Sequence, residues 1–255
     1  MLGDIDFRTN WGMAKYNAMQ VKVTKRYSRG LTGALAWTWS HNMGQTNGPG
    51  SSTRPQNSLC YVCEWGTLPE DRRHMVVINH VYELPFGTGR QYVNKGIASY
   101  LIGDWDVSGI WTMYTGMHFG PSEATSVSNV LTGATVNVSP TERPNLNGTP
   151  NLPSDQRTIT HWFNTAAFSI PSQYTWGTAG PGILVGPGYF NFDLGIHRNF
   201  RIKERIKLTY RAEMFNTFNH TNFNNPSAVI GSSSAGVISG TNPARVMQMA
   251  LKLMF

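Results

Sequence analysis

Apolar residues recur at every second position in several separate stretches of the chain. Over 31–40, Leu31, Gly33, Leu35, Trp37 and Trp39 alternate with Thr32, Ala34, Ala36, Thr38 and Ser40, which predicts a strand with one greasy and one small, polar face. Over 16–27, Met19, Val21 and Val23 alternate with Gln20, Lys22 and Thr24, and the intervening Ser28-Arg29-Gly30 predicts a hairpin turn. The same period runs through 104–115 (Trp105, Val107, Gly109, Trp111, Met113, with Ile110 the exception), 189–200 (Phe190, Phe192, Leu194, Ile196) and 245–255 (Met247, Met249, Leu251, Leu253, Phe255). Segment 74–84 alternates less cleanly, with His80 among Val76, Ile78, Tyr82 and Leu84. Over 201–218 two periods compete: Ile202, Ile206, Tyr210, Met214 and Phe218 suit a helix, while Ile206, Leu208, Tyr210, Ala212 and Met214 suit a strand. Strand neighbours on both sides and the basic turn 201–205 favour the strand, giving seven in all.

The connections fall into two classes. Those near 28–30, 85–103 and 201–205 are short or moderate, whereas 41–72, 116–188 and 219–243 are long and rich in Gly, Pro, Asn, Ser and Thr. Structureless loops beyond about 15 residues are uncommon in compact domains. Short turns on one side and long loops on the other are the pattern of a transmembrane β-barrel. A bilayer demands that every backbone polar group be paired internally, and a tilted spanning strand takes about 9–11 residues. The predicted fold class is therefore all-β: an antiparallel transmembrane β-barrel, partial, with long extracellular loops. A soluble β-sandwich would also alternate, but the one-sided long loops argue against it.

Composition agrees. Charged residues make up 14% of the 255-residue chain, against about 25% in an ordinary soluble domain. Mean hydropathy is -0.30, and no apolar run approaches the roughly 18 residues of a spanning helix. Lipid-facing strand positions and uncharged loops account for the low charge. Tyr16, Tyr27, Trp37, Trp39, Trp105, Trp111, Tyr189, Phe200 and Phe218 lie at or near predicted strand ends, where aromatic girdles belong. The inward face would carry Lys22 and the candidate lumen-facing residues Asp193, His197, Arg211 and Glu213.

The net charge of +7 raises the question of nucleic acid. The basic residues gather at short-turn ends instead: Lys25, Arg26 and Arg29; Arg90 and Lys95; Arg198, Arg201, Lys203 and Arg205. There they meet either anionic lipid headgroups or solvent, and no contiguous basic face or nucleic-acid motif emerges. Cys60 and Cys63 are the only cysteines; with no second CxxC or His cluster to complete a zinc site, an extracellular loop disulfide is the expectation. The seven histidines form no ligand pair, and no nucleophile–base or paired-carboxylate arrangement appears, so no catalytic residue, metal site, cofactor or enzyme activity is expected. No acidic-poor, basic-started leader is visible at Met1.

The ordered set of motifs resembles the last barrel strands of TonB-dependent outer-membrane receptors, nearest the Oar-like group with carboxypeptidase-regulatory-like N-terminal domains. The pieces are Gly186-Pro-Gly-Tyr-Phe-Asn-Phe-Asp-Leu-Gly, Asn199-Phe-Arg-Ile and Arg205-Ile-Lys-Leu-Thr-Tyr-Arg-Ala-Glu-Met-Phe-Asn-Thr-Phe-Asn-His-Thr-Asn-Phe. Tyr16-Asn-Ala-Met-Gln, Ala36-Trp-Thr-Trp-Ser, Asp71-Arg-Arg-His, Tyr82-Glu-Leu-Pro-Phe-Gly and Trp162-Phe-Asn-Thr-Ala-Ala-Phe extend it, the last with Thr165 where the family has proline. The resemblance implies active uptake of a scarce solute across the cell outer membrane. It implies as partners outer-membrane lipid and lipopolysaccharide, the outer-membrane assembly machinery, and the TonB complex, reached through an N-terminal plug that this chain lacks along with a signal peptide. Leu251, Leu253 and Phe255 resemble the terminal barrel-assembly signal. Receptor barrels of this class have about 22 strands, so seven read as the C-terminal portion; a passive pore and a surface-binding, adhesin-like barrel are the alternatives. No ligand-binding constellation can be named.

Overall fold

The computed structural model describes residues 12–45, 55–57, 60–124, 142–203 and 206–255. Seven long strands form one sheet: β1 (Ala14–Ser28), β2 (Leu31–Gly44), β3 (His74–Glu83), β4 (Trp105–Tyr114), β5 (Tyr189–Lys203), β6 (Ile206–Phe215) and β7 (Val246–Met254). They pair in chain order, every neighbour antiparallel. All seven expected strands are present, and the ambiguous stretch after 201 is strand over Ile206–Phe215. Pairing decides what the local period could not: Leu208, Tyr210 and Ala212 stand opposite Phe200, Arg198 and Ile196 of β5. Among the described residues the sheet does not close, and β1 and β7 each pair on one side only.

Register makes the two faces continuous. On one, Met19, Trp39 and Val21 of the first hairpin lead through Trp37, Val76, Met113 and Phe190, and through Leu35, Ile78, Trp111 and Phe192. The other carries Lys22, Thr112, Asn191, Asp193, His197, Arg211, Glu213 and Gln248. Among the described residues no second sheet lies over either face, and the buried hydrophobic cluster lies elsewhere, around Phe163, Phe168, Leu184 and Ile230 in the long loops. A sandwich would bury its strands against a second sheet; here β1 and β7 are exposed along their whole length, and Phe192 and Ala212 are the buried apolar side chains of the long strands among the described residues.

Six of the nine expected girdle aromatics lie on or against the apolar face. Near the long-loop end, Phe218 returns from its turn to stack on Phe192 (centroids 5.4 Å), and Phe192 stacks on Trp111 (4.0 Å). Near the other end, Trp105 meets Tyr210 edge-on at 5.9 Å, with Phe200 nearby. Four placements differ from expectation. Trp37 lies in the interior of β2, because pairing continues to Gly44 instead of stopping near Ser40. Tyr16 and Tyr189 fall on the polar face, opposite Asn42 and Tyr114. The slip in register between Lys25 and Ser28 lets Tyr27 donate its hydroxyl to Glu83 at 2.9 Å, on that same polar side.

A gap in the apolar face is filled by a neighbour. A Cβ on Gly109 would meet the His80 ring at 2.4 Å and Phe192 at 2.8 Å. The glycine thus lets these two side chains lie across its strand, the aromatic covering that stabilises glycine in a sheet.

The two faces are chemically distinct, so the same substitution separates them. Ile196→Lys, in mid-β5 on the apolar face, should cost about 2–4 kcal/mol of folding stability in lipid. Thr209→Lys, on the polar face of β6, should stay within about 1 kcal/mol. Denaturant titration of the vesicle-folded barrel measures both, and equal costs would refute the face assignment.

Candidate functional surface above the strand ends

The long connections fold together into a layer over one end of the sheet. Its apolar centre comes from the Trp162-Phe-Asn-Thr-Ala-Ala-Phe motif: Phe163 is 1% exposed and packs edge-on against Phe168 (6.0 Å) and Phe119 (6.3 Å). Thr165 opens a 3-10 turn, Thr165–Ala167. The first position of a helical turn needs no backbone donor, so proline and threonine both fit there. Short strand pairs tie the layer: His118–Phe119 with Leu184–Val185, Ser122–Glu123 with Val229–Ile230, and Asn145–Leu146 with Phe168–Ser169. The Trp162 indole N–H donates to the Val185 carbonyl at 2.9 Å.

Cys60 and Cys63 are joined in a disulfide, Cα–Cα 5.4 Å. It braces the 3-10 turn Tyr61–Glu64, which presents Glu64 to Arg143. That pair is bidentate and buried: Nη1 to Oε2 at 2.5 Å and Nη2 to Oε1 at 3.1 Å. Arg143 Nε also donates to the Ala179 carbonyl at 2.7 Å, and its backbone N–H to Gln56 Oε1 at 2.6 Å. Gln56 donates in turn to the Gly177 carbonyl at 2.9 Å. Gly177 has no alternative here, since a Cβ would lie 1.6 Å from the Arg143 carbonyl oxygen.

A second knot forms on Asp71, from the Asp71-Arg-Arg-His motif. Its buried carboxylate accepts the Asn42 N–H at 2.6 Å and lies 3.3 Å from His41 Nδ1, 3.6 Å from His118 Nε2 and 3.9 Å from Arg73. It therefore joins the end of β2 to two separate loops. The residues 215–223 form a third. Asn216, at φ 52°, donates its side-chain amide to the His220 carbonyl and accepts the His220 N–H, both at 2.9 Å. Asn222 brackets Phe190, accepting its N–H at 2.8 Å and donating to its carbonyl at 2.9 Å.

On the polar face, the expected residues divide. His197 Nε2 stands 3.6 Å from Glu213 Oε1, Arg211 faces His197 across the β5–β6 ladder, and Gln248 donates to Glu213. Asp193 does not join them: it accepts Asn191 Nδ2 at 2.8 Å and the Asn216 N–H at 2.9 Å, and so anchors the turn above β6. Leu251 and Leu253 lie on the apolar face of β7, and Phe255 is 98% exposed beyond it. Among the described residues no group of three or more His, Cys, Asp or Glu is arranged to hold a metal ion. Of the basic residues at short-turn ends, Arg201 and Lys203 have side chains, and Arg205 its whole position, outside what is described.

Sequence reasoning passed over Glu64, Arg143, Asp71 and Glu123. Arg143 and Glu64 are 79 residues apart, and no local period signals such a pair; for Asp71 the motif itself was the only signal.

Glu123 is 1% exposed, has both carboxylate oxygens without a hydrogen-bond partner among the described residues, and its backbone N–H donates to the Glu142 carbonyl at 3.2 Å. Burial, with the nearby Glu142 charge second, pushes its pKa up to about 7. A carboxyl raised in the folded state costs nothing while both states are protonated, so the layer's stability is greatest in acid, falls as pH rises from the ordinary carboxylate range towards about 7, and levels off above that. Amide protection factors over 117–124 and 228–231, taken relative to the intrinsic exchange rate at each pH, should be higher at pH 5.5 than at pH 8, and Glu123→Gln should remove that difference in protection. Arg143→Ala should strand the buried Glu64 charge, cost about 3–5 kcal/mol in the layer, and open it to proteolysis. Unchanged protease resistance would remove the clamp from the account.

A family model described as an outer membrane beta barrel domain matches residues 1–248. No curated protein and no solved structure matches the chain. No helix among the described residues is long and apolar enough to cross a membrane, whereas the strands alternate as a lipid-spanning sheet must. The chain belongs to the outer membrane β-barrel domain family and resides in the outer membrane.

Proposed function

We propose that the chain is the C-terminal part of the barrel of a TonB-dependent outer-membrane receptor, which takes up a scarce solute by active transport and is not an enzyme. The observation that carries this reading is the open sheet: β1 and β7 each present an unpaired edge. An edge left open in hydrocarbon strands a row of backbone donors and acceptors, so further strands must meet both. A barrel of about 22 strands around a plugged lumen supplies them, and the motif resemblance points to the same class.

The rest of the molecule suits that role. The polar face, with His197, Arg211 and Glu213, lines the lumen and meets the plug, through which the TonB complex acts. The layer of folded loops stands at the extracellular mouth, where a solute is first captured beside lipopolysaccharide. Leu251, Leu253 and Phe255 form the signal read by the assembly machinery, since the last strand is the one that must find the first to remove the edge.

Two measurements test this. The reading frame upstream of Met1 should continue into further strands and a plug; an in-frame stop codon directly before Met1 would overturn the receptor reading. Residues 1–255 refolded alone into lipid vesicles should give no steady single-channel conductance. Stable conductance together with heat-modifiable migration on gels would instead favour a small passive pore.

A further inference from the structure

The connection between β3 and β4 holds an element that the alternation does not foretell, a seven-residue helix, α1 (Gly96–Ile102). Its polarity is inverted. Ile97, Tyr100 and Leu101 share one face at i, i+3 and i+4 and are exposed, Ile97 to 80%, with Ile102 beside them. The buried residue of the helix is Ser99, whose hydroxyl donates to the Gly96 carbonyl at 2.9 Å and lies 3.4 Å from Thr88 Oγ1. In water, a helix places its apolar stripe inward. An outward apolar stripe on a short helix, with a lysine at its start, suits an element lying in a membrane interface.

Its position agrees. The helix lies at the short-turn end of the sheet, the periplasmic end of such a barrel. Its C-terminal carbonyls, those of Tyr100 and Leu101, accept hydrogen bonds from the guanidinium of Arg198. Arg198 stands on the apolar face of β5, opposite Trp105 and Tyr210. Its guanidinium lies 4.1 Å from the Phe200 ring centroid and 5.3 Å from that of Trp105. The end of the helix is thereby fixed at the outer, lipid-side rim, continuous with the lower aromatic band, and not beneath the lumen. Arg90 is paired with Glu83 at 2.7 Å, so the cation offered here is Lys95, exposed at the helix start. That sign suits anionic headgroups.

We propose that α1 beds its Ile97–Tyr100–Leu101 face into the headgroup–acyl boundary of the periplasmic leaflet, with phospholipid as its partner. The proposal rests on the membrane-barrel reading, and the test separates the two. In the full-length protein reconstituted in vesicles of phosphatidylethanolamine and phosphatidylglycerol, nitroxide labels are placed singly at Ile97→Cys, Ile78→Cys and Ser172→Cys. The native cysteines are held in their disulfide, and Ile97 is exposed enough to accept the label without disturbing the fold.

The label at 97 should collide more with oxygen than with a water-soluble nickel complex, at a depth between the labels at 172 and 78. A label at 97 as nickel-accessible as that at 172, with 78 still lipid-like, overturns the helix proposal and leaves the barrel standing. Labels at 97 and 78 that are both aqueous overturn the barrel reading and the proposal together. Leu101→Cys serves as a second site and should give the same depth as 97; an aqueous signal there, with 97 in lipid, would overturn the commitment of the whole face.

Discussion

Inside a bilayer, a backbone N–H or C=O without a protein partner has no water to turn to, and each orphan costs several kcal/mol, of the order for an amide moved into hydrocarbon. That constraint organises this chain. It explains why strands of nine to fifteen residues pair in chain order without crossovers, since a meander lets each strand satisfy its neighbour directly. It also makes the two open edges the least self-sufficient part of the molecule. β1 is the longest strand together with β5, yet only β5 is paired on both sides.

The same constraint moves the hydrophobic core. A soluble domain packs its strands around buried apolar side chains; here the apolar strand face is left for lipid, and the buried cluster of Phe163, Phe168, Leu184 and Ile230 lies among the loops. The loops must therefore fold by their own devices. They use a small apolar centre, a disulfide-braced turn, a bidentate Glu64–Arg143 pair and the Asp71 knot. Breaking a buried ion pair by removing one partner costs far more than the pair contributes over an apolar substitute, so such clamps specify one arrangement more than they add raw stability.

How much of this was legible in the sequence follows from the range of each interaction. Alternation is local, so Trp105 to Met113 and Phe190 to Ile196 declared their strands and faces directly. The stretch 206–215 did not, because its period fits two structures equally; only the partners on β5 and β7 decide. Tyr16 and Tyr189 were misread as girdle residues because nearness to a strand end says nothing about face, which depends on parity within the register. The Glu64–Arg143 clamp has no local signal, its partners being 79 residues apart, whereas Asp71, Asn216 and Asn222 lie within recognisable motifs. The fold explains those motifs: Asn216 and Asn222 serve as turn and bracket, Asp71 as a junction.

The basic residues at the short-turn ends show why charge counted along a sequence is a poor guide to role. Arg90 pairs with Glu83 at 2.7 Å; that ion pair, with the Tyr27 hydroxyl, raises the Arg90 pKa and holds its charge at home. Arg198 is 4% exposed and lies out of reach of solvent. Its task is set by α1: a helix ends in carbonyls that nothing within it can satisfy, and these fall at the rim of the lipid-facing sheet, where water is scarce. A guanidinium brings a fork of donors and a flat face that stacks on aromatic rings. Arg198 uses both, closing the helix end while lying between Trp105 and Phe200. A lysine has only a point charge to offer. Without that closure, a seven-residue helix with its apolar side turned outward would have little reason to persist at the membrane boundary.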